Sequence, residues 1–285
     1  MVLLQLLCNG IVTGCALGMV ALSFSLIYAT TRIFHVAHAG IYSLGGYLVW
    51  SLATRGVPLP LAVPLGVAAC AAAGALIQNQ LYRRLERRRA THLVVLIASL
   101  GLLAMIQNLL AAIYKPDVLQ FSETWGNGVV SVKGIILTRT QLLTVVAGVA
   151  VYGLVMAFAH RTTLGRRVRA VASNAFLAEI TRLEPSAVYV QVVAIASAIV
   201  ALPGVLVGLD LGLQPYNGIT ILLTATIAMI AGGVGSMSGA FVLSIAIAVL
   251  QNLSLLVMPG EWSIGVTFFI FVVFMLVRPR GLFAR

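Results

Sequence analysis

His35 and His38 stand three residues apart at the edge of an apolar run, with Tyr42 one turn further on. On a helix two imidazoles at that spacing share a face, where they can pass a proton, hydrogen-bond a carbonyl or offer two ligands to a metal. Two histidines fall short of the ligand set that a zinc site needs, and a histidine in such surroundings more often satisfies a backbone carbonyl. His35, His38 and Tyr42 are therefore read as candidate pathway or gating residues, with no metal assigned. The second dense stretch, HRTTLGRRVRAVASNAFLAEITRLEP (160–185), gathers Arg161, Arg166, Arg167, Arg169 and Arg182.

Much chemistry is absent from the sequence. No segment reads G-x-x-x-x-G-K-[ST], and the lysines are Lys115 and Lys133 alone, so the chain carries no phosphate cradle and no cofactor of its own is expected. Ion-coupled carriers keep carboxylates at membrane depth. Here none of the seven acidic residues falls in the middle of an apolar run. There is no HExxH, no paired cysteine and no nucleophile elbow, which leaves an enzyme or a self-powered carrier with little support. Cys8, Cys15 and Cys70 all lie within apolar runs, where packing accounts for them.

The elements that must hold these residues are membrane helices. A chain that is 61% hydrophobic and 9% charged, with mean hydropathy +1.07, cannot face water over most of its surface. Apolar runs cover Leu3–Ala29, Gly40–Thr54, Val57–Leu81, Leu93–Tyr114, Leu142–Ala159, Val188–Leu209, Ile219–Ala231, Gly239–Val257 and Ile264–Val277. The shorter runs cannot cross a ~30 Å hydrocarbon core unaided and read as tilted, broken or re-entrant. The expectation is an all-α polytopic membrane protein with about eight spans, forming one transmembrane domain over 1–285.

The net charge of +11 falls mostly between and after these runs, as in loops on the cytoplasmic side, and does not indicate nucleic acid. Arg83, Arg84, Arg87, Arg88 and Arg89 form one cluster, 160–185 holds another, and RPRGLFAR ends the chain with Arg278, Arg280 and Arg285. Placing all three in the cytoplasm fits the parity of the spans. It puts Lys115–Gln141, with Asp117, Glu123 and Trp125, outside together with Asp210, Glu261 and the N-terminus.

Within 160–185, Leu164, Val168, Val171, Ala175 and Ala178 recur at helical spacing, with Arg166, Arg169, Ser173 and Asn174 on the other side. Gly165 lets the chain turn out of the preceding span, Thr162 and Thr163 are candidate N-caps, and Pro185 stops the helix. Two uses remain open: a basic helix lying on anionic headgroups, or a helix that fits a groove on a cytoplasmic protein. The alanine-rich composition favours the second.

TTLGRRVRAVASNAFLAEITRL resembles the cytoplasmic coupling motif of permease subunits in the branched-chain amino-acid ABC importer family. Three further segments match in order, namely NGIVTGCALGMVALSFSLIYATTRIFHVAHAGIYSLGGY, MIAGGVGSMSGAF and RPRGLFAR. The resemblance implies an inner-membrane permease paired with a second homologous permease. It also implies two cytoplasmic ATPase subunits that bind ATP and Mg, and an extracytoplasmic solute-binding protein. The coupling positions that carry over are Gly165, Arg169, Ala170, Asn174 and Ala178. A family glycine is usual where this chain has Arg182, and an acidic residue usual after the His38 motif is missing. The implied substrates are branched-chain or other neutral amino acids, with urea, short amides or small carboxylates as the alternative. A stand-alone carrier or channel is the alternative of another class.

Gly232, Gly233, Gly235 and Gly239 read as structural, packing around a broken helix. Gly10, Gly14 and Gly18 fall four apart and form a packing stripe, within the subunit or against a partner permease. Polar residues inside runs, among them Asn9, Ser23, Ser25, Gln107, Thr224 and Asn252, either line a path or join helices.

Overall fold

The computed structural model describes residues 1–122, 128–132, 134–278 and 281–283. Glu123, Trp125, Lys133, Arg280 and Arg285 lie outside the described residues. The order is α1 (Val2–Thr31), α2 (His38–Thr54), α3 (Leu59–Ile77), a π-helical turn (Gln78–Tyr82), α4 (Arg83–Arg87), α5 (His92–Tyr114), a hairpin of β1 (Val129–Val132) and β2 (Ile135–Thr138), then α6 (Arg139–Arg161), α7 (Thr163–Ser173), α8 (Ala175–Ile180), α9 (Pro185–Leu211), α10 (Asn217–Gly232), α11 (Met237–Ser254) and α12 (Ser263–Val277). Among the described residues, seven helical segments are long and apolar enough to cross a membrane, while α10 is apolar but shorter. The chain is a multi-pass helical membrane protein, as the apolar runs predict.

The helices at the centre are α1, α2, α9 and α10, and small residues let them meet. The glycine stripe of α1 lies on α11: a Cβ at Gly10 would stand 2.7 Å from Val249 Cα, one at Gly14 2.6 Å from Ile245 Cα, and one at Gly18 2.6 Å from the Phe241 ring. The rising numbers on one helix pair with falling numbers on the other, so α1 and α11 run antiparallel and the stripe is consumed inside the subunit. Around this centre α3, α5, α6 and α12 keep broad apolar faces outward, including Leu61, Leu93, Ile97, Leu154 and Phe269. No water-facing surface could carry so much exposed aliphatic area, whereas a hydrocarbon surround costs it nothing.

Two interruptions matter for function. Arg32 ends α1 in the left-handed region (φ 55), and the chain doubles back so that His38, at the start of α2, lies beside Ser23, two turns inside α1. Across the bundle α10 likewise starts within it, where Gly218 packs on the Ala39 carbonyl and the Ser43 hydroxyl bonds Pro215 O at 3.3 Å. The arginines of α4, of α7 and of the turns beside them share one end of the bundle. There α7 and α8 pack on Leu26 and Ile27 of α1 and on Val188 and Tyr189 of α9.

The hairpin was not foreseen in the Lys115–Gln141 connection. It caps the opposite end and is held by Gln5, whose side chain donates to Ile136 O at 2.8 Å and accepts from Ile136 N at 2.9 Å. Its signal was present as two apolar runs separated by a Lys–Gly pair.

Candidate functional site

The arginine-bearing stretch forms two helices, not the single one its spacing suggests. Thr162 is the N-cap of α7, its hydroxyl accepting from Gly165 N at 2.9 Å. Asn174 adopts an extended conformation, ends α7 and caps α8 through a bond from Leu177 N at 3.1 Å. Pro185 does not stop the segment; it is the first residue of α9. The stop is Arg182, which turns the chain in the left-handed region at φ 61. The resemblance leads one to expect glycine at this position, and the left-handed turn suits glycine because a side chain costs about 1 kcal/mol in that conformation.

The apolar spacing is realised inward. Val168, Val171 and Ala178 are buried against α1 and α9, with Leu164 and Ala175 partly buried beside them. Gly165 is also buried, and its role differs from the expected turn. A Cβ there would lie 2.1 Å from Phe158 O, so its absence lets α7 press onto the last turn of α6. Of the five positions expected to couple, then, Gly165 and Ala178 fasten the segment to the bundle, while Arg169, Ala170 and Asn174 are exposed. The outward face also shows Arg166, Arg167 and three large apolar side chains that the spacing argument left out: Phe176, Leu177 and Ile180, at 70%, 57% and 65% exposure. A mixed basic and apolar ridge on a rigid mount can seat in a complementary groove.

Beside it lies a hollow of about 430 Å³. Arg169 bridges it by donating to His160 Nδ1 at 2.9 Å, and the far wall is the glycine loop. Gly233 and Gly235 take φ of 104 and 90, which only glycine holds cheaply. Gly232 and Gly239 meet backbone to backbone, a Cβ on Gly232 falling 2.4 Å from Gly239 C. Ser236 caps α11 by accepting from Gly239 N at 3.1 Å. The end of the chain returns here, with Leu282 N donating to Ala231 O at 2.9 Å and Phe283 N to Gly232 O at 3.1 Å. These glycines shape a break between α10 and α11.

His35 and His38 are fully buried, but they do not share a helix face, because His35 precedes α2. His35 Nδ1 lies 2.6 Å from Tyr82 Oη, and Tyr82 donates to Ser99 Oγ at 2.8 Å, so the histidine is the donor in the first pair. Ser99 also accepts from Ala37 N at 3.0 Å. His38 Nε2 lies 2.9 Å from Ser23 Oγ, whose own proton goes to Val20 O at 2.8 Å, so His38 donates as well. Each ring thus donates through one nitrogen, and the other nitrogen, His35 Nε2 and His38 Nδ1, has no partner among the described residues. Tyr82, in the π-helical turn, and Ser99, on α5 behind it, lie too far along the chain for local spacing to tie them to His35. A π turn inserts a residue into the helix and re-aims the side chains after it.

Tyr42 sits elsewhere, on the wall of a cavity of about 230 Å³ between α1, α2, α6, α9 and α10. The lining is largely aliphatic (Val12, Ala16, Leu17, Leu206, Val207 and Ile221), with Thr13, Thr144 and Asp210 as the other polar groups. Asp210 accepts from Thr138 Oγ1 at 3.0 Å and from Gln141 Nε2 at 3.2 Å, tying the cavity to the start of α6. Most other in-run polar groups serve their own helix: Thr224, Thr226, Ser244 and Asn252 bond carbonyls four residues back.

Residues 6–275 match the family described as branched-chain amino acid transport system / permease component. The chain is 26% identical to the high-affinity branched-chain amino acid transport system permease protein BraD of Pseudomonas aeruginosa, over 99% of this chain and 96% of that protein. It is also 26% identical to the permease protein LivH of the corresponding system of Escherichia coli K12, with 99% and 96% covered. Among solved structures, a chain of PsaBC from Streptococcus pneumoniae, determined in complex with Fab, superposes with a TM-score of 0.54 at 13% identity, covering 95% of this chain and 91% of that one. That likeness shows a shared fold.

Proposed function

Because this chain belongs to the branched-chain amino acid transport system / permease component family, we propose that it is one permease subunit of an ATP-driven importer for branched-chain or similar neutral amino acids. In this reading a second permease completes the pathway, two ATPase subunits sit at the basic end of the bundle, and an extracytoplasmic binding protein delivers substrate to the other. The chain supplies no hydrolytic chemistry; ATP and Mg bind in the partners. The basic end faces the cytoplasm of a bacterial inner membrane, in keeping with its arginines.

The observation that carries the reading is the construction of α7 and α8. Their inner face is fastened to α1 and α9 through Val168, Val171 and Ala178. Their outer face presents Arg166, Arg169, Ala170, Asn174, Phe176 and Ile180 to a partner. A push on that ridge is transmitted as rigid-body movement of α1 and α9, two walls of the Tyr42 cavity, because close-packed contacts do not compress. The aliphatic lining supports substrates with apolar side chains over urea or short amides, which would leave such walls unsatisfied.

The test is purification of the tagged chain from its native membrane and reconstitution of what co-elutes. Co-elution of ATPase subunits, with leucine uptake that stops on ATP removal and survives collapse of ion gradients, is the expected result. Uptake by the chain alone, driven by an ion gradient, would replace this reading with a secondary carrier.

A further inference from the structure

A groove of about 470 Å³ opens at the basic end between the last turns of α1 and the first turn of α5. Its body is apolar, formed by Tyr28, Ile33, Phe34, Leu93 and Leu96, and its ionisable groups are Arg32 and His92. Phe34 is locked edge-on against Phe24 at 5.2 Å and against Tyr28 at 6.3 Å, so this wall is preformed. No acidic residue lines the groove, and neither Arg32 nor His92 has a side-chain hydrogen bond or ion pair among the described residues.

We propose that this groove binds one anionic phospholipid, its phosphate between Arg32 and His92 and an acyl chain along Phe34, Leu93 and Leu96. The composition demands a ligand with an anionic head and an apolar body, which a free phosphate lacks. The position selects a lipid over a polypeptide, because the adjoining face of α5 carries Leu93, Val94 and Ile97 outward at 64%, 45% and 59% exposure, as a hydrocarbon-facing helix does. The charge is complementary in depth: Arg83, Arg84, Arg87, Arg88 and Arg89 follow α3 on the same end, with Glu86 the sole acid among them. Arg32 holds a left-handed conformation at the lip. A glycine would meet that turn more cheaply, and headgroup contact gives the arginine a use there. The bound lipid would wedge the α1–α2 turn that carries His35, and so bears on the seating of α2.

The test uses the purified importer complex, exchanged into vesicles of phosphatidylethanolamine with or without phosphatidylglycerol, re-extracted and weighed by native mass spectrometry. The expected result is phosphatidylglycerol retained on the complex and reduced about fivefold by Arg32→Gln, the effect of one basic residue at a lipid surface. Arg55→Gln, which removes a charge beyond the other end of α2, should leave retention unchanged. Leu96→Trp keeps both charges but fills the groove, so it should also lower retention. Retention as high as in the unsubstituted complex, in either Arg32→Gln or Leu96→Trp, overturns the proposal. So does displacement of the lipid by inorganic phosphate, or crosslinking of a photoreactive residue at Leu93 to a polypeptide instead of a lipid.

Discussion

Val168→Ala together with Val171→Ala tests how firmly the ridge is mounted. The two valines are 3% and 2% exposed and face α1 and α9. Each substitution removes two buried carbons, worth about 0.8 kcal/mol apiece, so the pair weakens the attachment of α7 by about 3 kcal/mol. At a factor of ten per 1.4 kcal/mol, the detached population of α7 rises roughly 200-fold. Amide hydrogen exchange reads that quantity directly, because local opening sets the protection of a helix. Protection over 166–172 should fall by that factor while the middle of α11 stays as it is. In proteoliposomes the uptake per ATP hydrolysed should fall with it, since a loose mount absorbs the stroke. Unchanged protection would refute the packing argument. Lost protection with full uptake per ATP would refute the claim that the mount transmits the stroke.

Ala170→Glu adds bulk and charge on the exposed side of the same helix, where stability changes stay within about 0.5 kcal/mol; it should leave the amount of protein in the membrane unchanged while abolishing ATP-driven uptake. Gly14→Leu places a side chain where even a Cβ would stand 2.6 Å from Ile245 Cα, a clash with backbone worth about 3 kcal/mol or more, so detergent-solubilised protein should melt earlier. Gly153→Ala meets open space, should not lower the melting temperature, and serves as its control. Arg182→Gly relieves the left-handed strain by about 1 kcal/mol and should slow exchange at 177–183; exchange that quickens there would mean the arginine holds the turn by contacts of its own.

How far these features could be read from residues alone follows from the range of each interaction. The inward face of α7 and α8 was legible because helical periodicity is local, and Leu164, Val168, Val171, Ala175 and Ala178 keep one spacing across both helices. The break at Asn174 was hidden by that same continuity, since a residue that ends one helix and caps the next leaves the apolar period intact. The glycine pattern announced close approach, and α1 on α11 confirms it, but the identity of the facing helix is a long-range fact that no window contains. The histidines could be singled out, yet Tyr82, which bonds His35, and Ser99, which bonds Tyr82 and Ala37 N, lie 47 and 64 positions beyond His35 with no spacing signature. Phe176, Leu177 and Ile180 were passed over because an exposed apolar side chain looks like core until the face it points from is known.

The deep starting points of α2 and α10 bear on how the polypeptide is made. α2 is buried along most of its length, carries His38 and Ser43 inward, and rests on α9 and α10. Those supports leave the ribosome about 150 residues later, some 8–30 s at ordinary elongation rates. During that interval the segment is too short and too polar to settle in lipid by itself, so the insertion machinery must shelter it until its companions emerge. Biogenesis of this chain is therefore a matter of waiting: its most central piece is among the first translated and the last to find a home.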